Sequence, residues 1–161
     1  VKRKPVPAPP ASRDRLDEVR RALPLVPGSE DDCCARLQSR ADVPDRSAAG
    51  EWLEFLCALG LARETQSGFV RTREDLDADE LAQNFRSGVV LADEALALLA
   101  DADEPEPVDA VFDAVRSSVP RWEQRKRDDW QAVWRDRTGR LLDWAVLLGL
   151  ATETDGGYTT P

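Results

Sequence analysis

The 161-residue sequence contains no histidine and no methionine. It has no isoleucine either, and Lys2, Lys4 and Lys126 are its only lysines. Without histidine, both the usual general base near neutral pH and the commonest metal-ligating nitrogen are missing. The cysteines Cys33, Cys34 and Cys57 are odd in number and show no paired spacing, which argues against a zinc finger. They read instead as small buried hydrophobes. A glycine-rich phosphate loop and a nucleophile motif are also lacking. Together these absences point away from catalysis, metals and cofactors. No apolar run reaches membrane-spanning length, and the first residues lack the apolar core of a signal peptide. The expectation is a cytoplasmic protein. Val1 where Met would stand points to an alternative start codon or to a piece of a longer chain.

Aspartate, alanine, valine and arginine are abundant instead. The formal net charge is −9 and the pI about 4.6. Arginine and valine in place of lysine and isoleucine indicate a GC-rich genome. An Asp-rich surface added to that is the composition of a salt-in halophile such as a haloarchaeon, with a GC-rich actinobacterium as the alternative. In molar salt the Debye length falls to about 3 Å. The net charge therefore does not by itself exclude nucleic acid; contact-range charges decide.

The sequence also repeats itself. Gly50–Arg71 (GEWLEFLCALGLARETQSGFVR) aligns without gaps to Gly139–Thr160 (GRLLDWAVLLGLATETDGGYTT), with nine of 22 pairs identical. Phe55 matches Trp144 and Phe69 matches Tyr158 in kind. In the first copy Trp52, Leu53, Phe55, Leu56 and Leu59 form one helical stripe. Gly60 suits a left-handed helix end, from which Leu61 folds back onto the last turn. Ala62–Thr65 and Phe69–Thr72 flank Gln66-Ser67-Gly68 as a hairpin, and Asp155-Gly156-Gly157 does the same in the second copy. Helix, Leu-Gly-Leu, then a glycine-tipped hairpin resembles the C-terminal half of a winged helix-turn-helix domain. The resemblance implies that the helix is a recognition helix and the hairpin a wing, and an internal repeat implies two such units.

The expected fold is mainly α with small β-hairpins: two tandem winged-helix domains joined by a long helix. Residues 1–11 (VKRKPVPAPPA) read as a flexible, basic, Pro-rich arm. The first domain spans 12–73, with Ser12 as helix cap candidate, a capping-box start at Ser29, and the repeated helix Arg46–Leu59. An acidic linker covers 74–86, and the second domain 87–161. Asp77–Ala100 carries Leu81, Phe85, Val89, Ala92, Leu96 and Leu99 at helical spacing, read as one helix that Gly88 kinks and through which the protein could dimerise. Trp122–Leu148 is helical in pattern almost throughout, with Thr138-Gly139 as the dividing point.

Charge is segregated along the chain. Glu74–Asp113 holds thirteen acidic residues against Arg86 alone. Farther on, Arg121, Arg125, Lys126, Arg127, Arg135, Arg137 and Arg140 alternate with Trp122, Trp130 and Trp134. Basic residues with aromatics beside a recognition helix fit phosphate contact and base stacking. The competing reading is a solvated helix with internal ion pairs, Asp128 and Asp129 near Arg125 and Asp136 near Arg140, its tryptophans in the core or an interface. In the first domain, Glu51 and Glu54 would face DNA with the wrong sign. The resemblance therefore implies a non-enzymatic, DNA-binding or transcription-associated protein working mainly through domain 2 on double-stranded DNA. The alternative is a protein-protein adapter in a chromosome or transcription complex, with Glu51, Glu54 and the tryptophans as its interaction residues.

Overall fold

The computed structural model describes residues 2–161 and divides the chain into two compact units, Val1–Val89 and Val90–Pro161. The first contains helices α1 (Arg13–Arg21), α2 (Glu30–Arg40) and α3 (Arg46–Ala58). The antiparallel hairpin β1 (Ala62–Thr65) and β2 (Gly68–Arg71) follows, then α4 (Ala78–Gly88). The second contains α5 (Ala92–Asp101), α6 (Val108–Val115) with a 3₁₀ turn at Arg116–Ser118, and α7 (Arg121–Lys126). It closes with α8 (Trp130–Leu147) and the hairpin β3 (Thr152–Thr154) and β4 (Gly157–Thr159). Helices plus a wing hairpin in each unit make the molecule mainly α with two small sheets.

Local chemistry accounts for the helix boundaries in the first unit. Backbone N–H groups of Asp32, Ala48 and Glu80 donate to the side chains of Ser29, Asp45 and Asp77, capping α2, α3 and α4. Each cap satisfies one of the orphan donors at a helix start. Ser12 precedes α1 but makes no such side-chain bond. The core of this unit is built from Leu16, Val19, Cys33, Cys34, Leu37, Leu53, Phe55 and Leu56, all at most 3% exposed. Phe55 meets Trp52 and Phe85 edge to face, with ring centroids 6.5 and 6.4 Å apart.

The repeat holds at the level of single backbone bonds. Gly60 and Gly149 end α3 and α8 at φ 77° and 78°. The N–H of Leu61 returns to Leu56 O (2.9 Å), and that of Leu150 to Ala145 O (2.8 Å), the same helix-terminating bond in both copies. Gly68 and Gly157, at φ 129° and 125°, open the return strands. Phe69 then exchanges two hydrogen bonds with Gly28, and Tyr158 exchanges two with Glu106. A single residue before the second helix thus serves each wing as a third strand. The close approach excludes side chains: a Cβ on Gly68 would lie 2.2 Å from Gly28 O, and one on Gly157 2.3 Å from Glu106 O.

Three expectations need correction. Residues 77–100 are not one helix but two, α4 in the first unit and α5 in the second. Their apolar stripes, Leu81 and Phe85 on one and Leu96 and Leu99 on the other, are buried. Gly88 ends α4 rather than kinking a longer helix. A Cβ there would lie 2.5 Å from Ala58 O, so the glycine lets α4 pack on the end of α3. The region from Trp122 to Leu148 divides at Arg127–Asp129, not at Thr138-Gly139. Thr138 Oγ1 donates to Trp134 O within α8 and leaves the helix unbroken.

Within the arm expected for residues 1–11, Lys2–Pro7 are not free. Arg3 N donates to Gly88 O at 2.8 Å, and Val6 and Pro7 are buried. This places Lys2–Pro7 as a strap on the first unit.

Candidate nucleic-acid interface

In a winged-helix unit the helix before the wing is the one available to a groove, so α3 and α8 are the elements to compare. On α3 only Arg46 and Ser47, in the first turn, are exposed. The rest of the helix is half-buried or buried. Arg46 pairs with Glu30 (3.3 Å) and Asp31 (3.1 Å) of α2. Arg3, from the strap, binds Glu54 of α3 and Glu64 of β1. Burial opposes the charge of Arg3, but these carboxylates outweigh it and raise its pKa above the ordinary arginine value. Glu54 is therefore not the open acid that its spacing implied; it is half-buried and neutralised. Glu51 is half-buried as well. Cys57 lies on the same covered face, and burial pushes its thiol up to about 12.

The second unit is built differently at this point. Its helix starts five residues earlier relative to the repeat, at Trp130 where the counterpart of Arg46 is Arg135. Between α6 and α8 the chain inserts the 3₁₀ turn and α7, where the first unit has only Ala41–Asp45. Arg121, Arg125 and Lys126 on α7 are exposed. Trp122 is 53% exposed, with Lys126 Nζ 5.8 Å from its ring centroid. Arg121 and Arg125 line an open cleft with Ser117, Gln124 and the half-buried Trp130. Among the described residues, no carboxylate lies within ion-pair distance of Arg121, Arg125 or Lys126.

The other basic residues of the stretch are engaged within the unit. Arg127 binds Asp129 at 2.9 Å, which holds the Asp129 carboxyl below the usual range. Arg135 reaches Asp109 (3.1 Å) and Asp113 (3.5 Å) of α6 and stacks 5.0 Å from the Phe112 ring. Arg137 stacks 4.7 Å from the ring of Trp134, which is 1% exposed. Arg140 is half-buried. The sequence pattern thus resolves into an outward group, Arg121, Trp122, Arg125 and Lys126 with Trp130, an exposed but ion-paired Arg127, and an inward group, Arg135, Arg137 and Trp134. Gln124 and Ser117 join the outward group without having carried any sequence signal. On the wing side, Tyr158 donates its hydroxyl proton to Asp143. Burial first, and that carboxylate second, raise its pKa.

Among the described residues no group of three or more histidine, cysteine, aspartate or glutamate side chains is arranged to hold a metal. No helix there is long and apolar enough to cross a membrane.

No curated protein and no solved structure matches the chain. Residues 1–161 match the family model described as the halobacterial double winged helix domain. Two units that each contain a helix followed by a β-hairpin agree with that description. The chain belongs to the halobacterial double winged helix domain family.

Proposed function

We propose that this is a cytoplasmic, non-enzymatic, transcription-associated protein that binds double-stranded DNA through its second winged-helix unit. The family supports a DNA-binding or transcription-associated role in general. The observation that carries the assignment to the second unit is the inserted α7. It adds Arg121, Arg125 and Lys126, without carboxylate partners among the described residues, and exposed Trp122 beside the recognition helix. In the first unit the equivalent face is closed by Arg3 and its strap. Phosphate contacts from the outward cations would position α8, and Trp122 would add an aromatic surface.

A labelled duplex titrated in molar KCl with wild type and with Arg121/Arg125/Lys126→Ala tests this. The expected result is saturable binding by wild type, weakened at least tenfold in the variant. Equal affinity of the two proteins would remove α7 from the interface. No binding by folded wild type at any salt would favour the second reading, a protein-protein adapter, for which the exposed Trp122 is the specific support.

A further inference from the structure

Three large hydrophobic side chains are exposed among the described residues: Trp122, Leu25 and Val26. The last two are neighbours in the loop between α1 and α2, at 44% and 68% exposure. Pro24 and Pro27 bracket them and limit the conformations the loop can adopt. On one side Leu25 borders an open cleft containing Arg21, Arg71 and Arg73; on the other, Val26 borders a second cleft containing Arg36 and Arg40.

Arg36, Arg40, Arg71 and Arg73 have no carboxylate within ion-pair distance among the described residues, although acids outnumber bases by 31 to 22. Three of them are held by main-chain carbonyls at the end of α1 and in its loop. Arg71 donates to Arg21 O (3.3 Å), Arg73 to Leu25 O (3.3 Å) and Arg36 to Ala22 O (3.1 Å). Such bonds fix each guanidinium while leaving donors unused, which lowers the entropy lost when a partner binds. Arg20 is spoken for: it is buried and binds Thr72 O, Glu74 O and Asp75.

We infer that the Leu25–Val26 ridge and its flanking arginines form a docking surface for an acidic polypeptide segment that carries an aliphatic or aromatic anchor. Two features select a polypeptide over nucleic acid. A phosphate backbone offers nothing apolar to cover Leu25 and Val26. Asp17, Asp32 and Asp75 also line the two clefts and would repel a regularly spaced polyanion, whereas a peptide can place its carboxylates between them. Apolar burial supplies binding that salt does not screen, and the arginines supply selection for acid at contact range. The surface lies entirely in the first unit, so the inference is independent of DNA contact by the second.

Methyl NMR of the full chain in molar KCl tests the inference with three probes. One is a peptide of alternating Asp/Glu and Leu/Phe, the second is the same peptide with Leu and Phe replaced by Ser, and the third is a duplex DNA. The expected result is a saturable shift of the Leu25 and Val26 methyls with the first probe only. It should weaken at least tenfold in Arg71/Arg73→Ala and in Val26→Ser, the latter an exposed change that leaves the core intact. No shift with the first peptide, an equal shift with the serine peptide, or a shift with duplex would overturn it. A shift that depends on protein concentration alone would assign the patch to a second copy of the chain and overturn it too.

Discussion

Arg3 determines the character of a whole helix face, because it converts two acids on α3 and β1 into a closed surface. Replacing it with alanine leaves Glu54 half-buried without its partner, and a loss of about 1 kcal/mol is expected in urea unfolding followed in molar KCl. Cys57 beneath it offers a second readout. Burial lifts its pKa from 9.0 to about 12, so its thiolate fraction near pH 8 is lower than that of a free thiol by roughly a thousandfold. Alkylation of Cys57 should therefore be slow in the folded protein and should reach the rate of a free thiol only on unfolding in urea. The same shift fixes a pH dependence. A thiol whose folded pKa exceeds its unfolded value stabilises the fold fully below pH 9.0 and loses that contribution as pH rises toward about 12. Burial raises Cys33, Cys34 and Tyr158 in the same direction. Denaturation midpoints should fall across that alkaline window, and less steeply in Cys57→Ala; a midpoint that stays flat would contradict the burial assigned to Cys57.

At the scale of the element, the glycine pairs separate conformational strain from steric conflict. Gly60 and Gly149 share the left-handed conformation, yet a Cβ on Gly60 would lie 2.7 Å from Asn84 Nδ2, while one on Gly149 meets nothing within 4 Å. Asn84 donates to Leu59 O at the end of α3, so a Gly60→Ala change also disturbs that bond. Gly149→Ala should cost about 1–2 kcal/mol of strain alone, and Gly60→Ala clearly more. Equal losses, compared by thermal unfolding, would mean that the Asn84 contact contributes nothing. These helix ends and wings were legible in the sequence because a glycine at a left-handed position and a returning leucine are local signals, printed twice. The insertion was harder to read. Arg127–Asp129 contains neither glycine nor proline, whereas Thr138-Gly139, which looked like the break, is carried through the helix by the Thr138–Trp134 bond. The strap was illegible for another reason: burial of Val6 and Pro7 is set by what they pack on, not by their neighbours in sequence. Arg135 and Arg137 likewise read as part of a basic patch until Asp109, Asp113 and Trp134 are placed beside them.

For the whole molecule, the net charge of −9 becomes a stability term that salt controls. In molar KCl the Debye length is about 3 Å, and at about 0.1 M it grows to about 10 Å, so repulsion among the acids reaches across the surface. Denaturation midpoints should fall steadily as KCl is lowered; a midpoint independent of salt would show that the acids are balanced locally. Salt also distinguishes modes of DNA contact. If Arg121, Arg125 and Lys126 each neutralise one phosphate, their removal should flatten the dependence of log K on log salt by roughly 2–3 units. An unchanged slope with reduced affinity would mean that they act on the fold of α7 and not on phosphates.

The bonds that give each wing its third edge also bear on the order in which the chain folds. Gly28 and Phe69 are 41 residues apart, and Glu106 and Tyr158 are 52 apart. The hairpins and helices close over short loops, but these reciprocal bonds require most of a unit to be assembled first. In pulsed deuterium exchange during refolding, the amides of Phe69 and Tyr158 should gain protection together with the global step. Their strand neighbours bonded only across the hairpin need not wait for it, which makes these two amides native reporters of when each wing docks.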